Sequence, residues 1–137
     1  MSADQQIRRT IAQFAQYLDE RRFVEWSELF TADATFQQLA GRGSILAFMQ
    51  ADELATMPDL FRKHVTTNLI ITTLAAAATA ESDLILHERL GSGPWILRMG
   101  KYTDRLVRAH GGRWLFADRQ LAWTANGLDN WRAGEGA

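Results

Sequence analysis

The amino-acid sequence predicts one α+β domain in which N-terminal helices pack against a strongly curved, mainly antiparallel sheet enclosing a pocket. Three observations carry that expectation. Apolar residues recur at helical spacing through the first half, β-branched segments with Gly-rich breaks fill the second, and no repeat or linker divides the 137 residues. A chain of this length fits a single domain, taken as 1–137, with 124–137 as a C-terminal tail.

Ile7, Ile11, Phe14, Ala15 and Leu18 form one stripe, with Gln5, Arg9, Gln13 and Gln16 elsewhere, so an amphipathic helix is expected over 4–21. Phe23, Trp26, Leu29 and Phe30 repeat the pattern in a shorter helix ended by Thr31, Ala32 and Asp33, and 34–38 reads as a short strand. Gly41 and Gly43 break the chain. Ser44 then caps a third helix whose Ile45, Phe48 and Met49 face inward before Pro58. From Lys63 onward HVTTNLIITTL, DLILHERL, WILRMGKYTDRLVRA and RWLFADRQLAW read as strands of an antiparallel meander. His110, Gly111, Gly112, Arg113 and Trp114 form the last hairpin turn, where glycine supplies positive φ. Beyond Trp123 periodicity is lost, and Trp131 is a candidate to dock on a neighbour.

Composition narrows the function. A net charge of −1 offers no positive field for nucleic acid, and the absence of Cys removes disulfides, thiolate nucleophiles and Cys-based metal sites. The three His fall in separate elements, so no metal site is expected. MSADQQIRRT lacks the apolar stretch of an export signal and no apolar run is long enough to span a membrane, which together predict a cytoplasmic protein without membrane partners.

GxSxG, GxxxxGKS, GxGxxG and HExxH are all absent, which points to proton transfer by side chains without a motif-borne cofactor. Asp19 flanks the apolar stripe of the first helix, so it is either a solvated carboxylate at the helix end or a half-buried group that needs a partner such as His. His64 opens the first long strand on the face of Thr66, Asn68 and Ile70, which is either pocket lining or outer surface. His87, beside Glu88 and Arg89, reads as a surface or interface residue, His110 as an exposed turn residue, and Asp33 as a turn-closing carboxylate. Arg119, in register with Leu121 and Trp123, is either a buried anion ligand or the partner of an acid. Phe14, Trp26, Phe30, Phe36 and Phe48 are mostly core, with some members lining the cavity.

IRRTIAQFAQYLDERRFVEWSELFTADATF, then KHVTTNLII, then GKYTDRLVRAHGGRWLFADRQLAW, resembles the SnoaL-like branch of the NTF2-like superfamily over residues 5–123. The resemblance implies a cone-shaped roll. Within the superfamily the pattern is most similar to scytalone dehydratase and related dehydratases, whose helix-borne Asp and strand-borne His match Asp19 and His64. It implies a cofactor-independent dehydratase acting on a small hydroxylated cyclic ketone, polyketide-like or steroid-like compound through these two residues. Phe14, Leu18, Trp26, Phe36, Gln38 and Arg119 are the matching candidates for substrate contact, and a homo-dimer or homo-trimer is implied. The departures are specific. Leu18 and Gln38 stand where scytalone dehydratase has its water-holding tyrosines, and Lys101 and Thr103 where it has Ser and Asn. Phe14 and Gln38 replace the groups of a ketosteroid isomerase, and Arg119 with Asp104 is a loose echo of an epoxide hydrolase's Asp-Arg-Asp set. The alternative is a non-catalytic binding or partner-holding role, as in the β subunits of ring-hydroxylating dioxygenases.

Overall fold

A computed structural model describes residues 1–126; of the tail expected over 124–137, Thr124, Ala125 and Asn126 belong to the last strand, and the rest, Trp131 included, lies outside the described residues. Helix α1 (Ala3–Asp19) starts at a capping box, in which the Gln5 N–H donates to Ser2 Oγ (3.1 Å) and the Ser2 N–H donates to the Gln5 side chain (2.8 Å). Ile7, Ile11, Phe14 and Leu18 are its buried stripe. Helix α2 (Phe23–Ser27) is shorter than its apolar spacing suggests, because Phe30 already belongs to a strand. The chain continues through β1 (Phe30–Phe36), β2 (Leu39–Ala40), α3 (Arg42–Gln50) and α4 (Glu53–Thr56). Four long strands follow: β3 (Leu60–Leu74), β4 (Ala77–Leu90), β5 (Ile96–Arg108) and β6 (Trp114–Asn126).

The six strands form one sheet in the order β2-β1-β6-β5-β4-β3, antiparallel throughout except for the parallel β1–β6 pair. The α+β class, the antiparallel meander and the Gly-rich last turn are as expected, with φ of 81° at both Gly111 and Gly112. Residues 31–33, read as a helix stop, lie inside β1, where Thr31 Oγ1 donates to the Asp33 carboxylate (3.0 Å). The β4 strand begins six residues before DLILHERL, at Ala77, despite the weak strand preference of alanine. Ala78 and Ala80 are buried, and their small side chains admit Leu106 and Phe116 to the core.

Pairing registers fix which side chains face the helices. Ala78, Ala80, Ser82, Leu84 and Leu86 of β4 are buried and pair with Leu106, Asp104, Tyr102, Gly100 and Arg98 of β5. On β3 the inward set begins with Arg62, His64 and Thr66, opposite Glu88, Leu86 and Leu84. The expected alternation then breaks. A bulge between Thr67 and Ile70 carries Asn68 at φ 55°, so Leu69 and Ile71 pack on the core while Ile70 lies on the outer face. A second irregularity between Arg105 and Leu106 keeps Phe116 and Arg119 on the same inward face of β6. Among the described residues no helix is long and apolar enough to cross a membrane.

Candidate functional site

The sheet ends at β3, whose outer edge has no neighbouring strand, and the C-terminal end of α1 lies along it. Asp19, the last residue of α1, occupies that edge. Its carboxylate accepts the His64 backbone N–H (3.1 Å to Oδ1, 3.3 Å to Oδ2), satisfying a donor that the sheet leaves unpaired. The same Oδ1 lies 2.7 Å from His64 Nδ1, and both side chains are 9% exposed. Lys63 Nζ approaches the other oxygen at 3.5 Å from the solvent side. Arg21, at φ 59° just past the helix, donates to the carbonyls of Leu54 and Leu60 and ties the end of α1 to α4 and the start of β3.

This arrangement orients the imidazole. With the carboxylate ionised, Nδ1 carries the proton that it shares with Asp19, and Nε2 is left as the basic nitrogen. No described residue hydrogen-bonds to Nε2. His64 stands on the inward face beside Leu86 and Leu84, so the pair combines a carboxylate-backed base with an apolar floor. It can take a proton from a bound molecule and return it.

The other candidate residues fall into distinct places. Phe14 and Trp26 meet at 5.5 Å between ring centroids and, with Phe30, Phe36 and Phe116, form one buried aromatic cluster. Trp26 has no exposed surface and is part of the core cluster. Leu18 is likewise buried beneath α1, and Phe36 is half-buried at the margin of the cluster. Gln38 lies exposed in the tight β1–β2 turn, which begins at Gln37 with φ 54°. Phe48 is half exposed, and His87 and His110 are exposed on the outer face and in the last turn. A separate groove of about 410 Å³ runs along α1 past Gln13, Tyr17, Glu25 and Arg113, and contains neither Asp19 nor His64. Among the described residues no group of three or more His, Asp or Glu is placed to hold a metal.

Arg119 is completely buried and lies against an acid, one of the two roles its position allowed. Its Nε lies 3.1 Å from Asp104 Oδ1, and its guanidinium sits 3.5 Å from the Tyr102 ring centroid and 4.1 Å from that of Phe14. Burial pushes the Asp104 carboxyl up to about 6, with Arg119 acting against that shift and Asp118 adding to it. Burial also pushes the Tyr102 phenol up to about 12.

Lys101 and Thr103, which stand where scytalone dehydratase has Ser and Asn, are exposed on the outer face, and beside them Tyr102 and Asp104 point inward. The available signal was parity with the apolar Leu106, which shares their face.

The SnoaL-like domain family matches residues 1–120. Several solved structures share the fold. A Novosphingobium aromaticivorans protein bearing the provisional name scytalone dehydratase superposes with a TM-score of 0.80 at 22% identity, covering 89% of this chain and 84% of that one. ActVI-ORFA from Streptomyces coelicolor gives 0.78 at 18% identity over 90% and 98% of the two chains. A Catenulispora acidiphila protein in complex with S-DNPA gives 0.76 at 24% identity over 94% and 95%. The helices and the curled, unclosed six-stranded sheet match the NTF2-like cone of these neighbours. A comparison with curated proteins finds no match.

Proposed function

The chain belongs to the SnoaL-like domain family, and on that premise we propose that it is a cofactor-independent dehydratase in which Asp19 and His64 act as an acid/base pair. The observation that carries the reading is the 2.7 Å contact between Asp19 Oδ1 and His64 Nδ1 on the inward face, with Nε2 unengaged by any described residue. His64 Nε2 removes a proton from the carbon next to a carbonyl, and Asp19 stabilises the imidazolium so formed. The imidazolium then protonates the departing hydroxyl, and water leaves. The substrate class is a small hydroxylated cyclic ketone, polyketide-like or steroid-like, seated against apolar residues.

Leu18 and Gln38 supply no hydroxyl at the positions of scytalone dehydratase's water-holding tyrosines, so in this reading the substrate is held differently from scytalone. On the outer face Val65 and Ile70 of β3 and Leu97 and Met99 of β5, with β4 between them, are exposed apolar residues, and in this reading two copies associate there.

The test is a panel of hydroxy ketones followed by ultraviolet absorbance. On the substrate found, His64→Ala lowers kcat by about 10² to 10⁴, the usual contribution of a general acid–base group, with the circular dichroism spectrum unchanged. Asp19→Asn is milder, because it keeps the shape and one hydrogen bond. Wild-type activity in His64→Ala would overturn the mechanism, and no turnover anywhere on the panel favours the binding-module alternative.

A further inference from the structure

Ser82, Tyr102, Asp104 and Arg119 form a polar patch on the inward face of β4, β5 and β6, in an otherwise apolar core. Ser82 pairs with Tyr102 and Asp104 with Arg119 across the strands. The Ser82 hydroxyl, both Asp104 oxygens and all three Arg119 nitrogens are buried without a hydrogen-bond partner of good geometry. Buried polar groups are ordinarily satisfied, and a cluster of exceptions has a cause such as strain, a catalytic role or an ordered water. The pair of charges beneath Tyr102 is therefore a feature that requires an account.

Within this patch Tyr102 is the residue that also meets helix α1, through Phe14. Its ring lies on the Arg119 guanidinium at 3.5 Å and makes an edge contact with Phe14 at 5.8 Å, so it sits beneath the helix that ends in Asp19. The Asp19 charge is among the influences that raise the Tyr102 phenol, after burial and Asp104, while Arg119 lowers it. No described residue hydrogen-bonds to its hydroxyl, and that hydroxyl is absent from the buried, partnerless atoms. The phenol is thus a protonated donor with no internal partner, on the same concave face as His64. The guanidinium against its ring makes it a better donor, and the Asp104 carboxylate balances the charge.

We propose that Tyr102 is a further catalytic residue of this site, its phenol donating a hydrogen bond to the substrate carbonyl oxygen while His64 takes the neighbouring proton, with Arg119 and Asp104 as positioning residues behind the ring. The proposal rests on the reading of Asp19 and His64 as the acid/base pair. No bond to Tyr102 forms or breaks: negative charge develops on the carbonyl oxygen as the α-proton moves to His64, and the phenol stabilises that charge.

Two measurements test it. On a ketone turned over by the wild type, Tyr102→Phe lowers kcat by about 10²-fold with little change in KM, as loss of one oxyanion donor does, and leaves the thermal midpoint unlowered because the lost hydroxyl has no internal partner. Independently of turnover, 2-naphthol, an acceptor resembling an enolate, binds the wild type and binds Tyr102→Phe about 10-fold more weakly by fluorescence titration. Tyr17→Phe is the control and binds like the wild type. If His64→Ala is inactive and Tyr102→Phe retains full kcat, Tyr102 is excluded while the acid/base pair stands. If His64→Ala is active, the acid/base reading fails and naphthol binding still decides whether Tyr102 is a donor. No naphthol binding to the wild type, or equal binding to both proteins, overturns the proposal.

Discussion

Replacing Arg119 by Met removes a charge from a place with no water to replace it. Arg119 has no exposed surface, its nearest charge is Asp104 at 3.1 Å, and Met fills much of the volume among Phe14, Tyr102 and Phe116. Breaking a buried pair by removing one partner costs about 3–5 kcal/mol, mainly because the other charge stays buried. The cost depends on pH. The folded-state value of Asp104 is already raised to about 6 from 3.8, and Arg119 opposes that rise. A carboxyl whose folded value is raised favours folding while it is protonated and loses that advantage as pH climbs through the folded value. Without Arg119 the folded value moves higher still, so Arg119→Met is penalised more at pH 8 than at pH 5. Urea unfolding followed by tryptophan fluorescence measures both, since Trp26 and Trp114 are buried reporters. At pH 8 the expected loss corresponds to a thermal midpoint lower by on the order of 10–20 °C. The double variant Arg119→Met/Asp104→Leu recovers most of it, because no uncompensated charge remains. A loss below about 1 kcal/mol, or the same loss at both pH values, would refute the reasoning.

Two further predictions concern packing and association. A Cβ at Gly100 would lie 2.8 Å from Leu121 Cδ1 and 3.1 Å from both the Ala122 carbonyl oxygen and Trp123 Cε3, so Gly100→Ala should cost about 1–3 kcal/mol in the same urea assay. An unchanged midpoint would show that β6 yields freely at this point. Val65→Lys and Met99→Lys put charge on the exposed apolar outer face, and light scattering after size exclusion should show dimer converted to monomer. A wild type that is monomeric at high concentration would remove that face from consideration.

Periodicity made α1 and the four long strands legible, because each carries enough alternating or helical residues to define a buried side. The Asp19–His64 meeting was legible only through resemblance. Their spacing in sequence says nothing about the free edge of β3, where the His64 N–H and ring draw the carboxylate in. What stayed hidden depended on single-residue shifts. Asn68 at positive φ reverses the facing of Ile70, and the irregularity near Leu106 aligns Phe116 with Arg119. Both are products of pairing between distant strands, which local pattern cannot report. Tyr102 was missed for a related reason, whereas Asp104 surfaced only beside Arg119 in the loose epoxide-hydrolase echo: a polar residue at an inward position reads as surface until its cross-strand partners are known.

The claim on which this account turns is that His64, backed by Asp19, takes a proton from carbon beside a carbonyl. A ketone that cannot lose water isolates that step. In deuterium oxide, 1-tetralone gains deuterium at its α-carbon as the proton is removed and replaced, and mass spectrometry follows the rate without any need for the natural substrate. The account predicts exchange by the wild type above the buffer rate and a loss of about 10² to 10⁴ of that catalysed exchange in His64→Gln. Equal exchange by the two proteins, or none above buffer by the wild type, would contradict it.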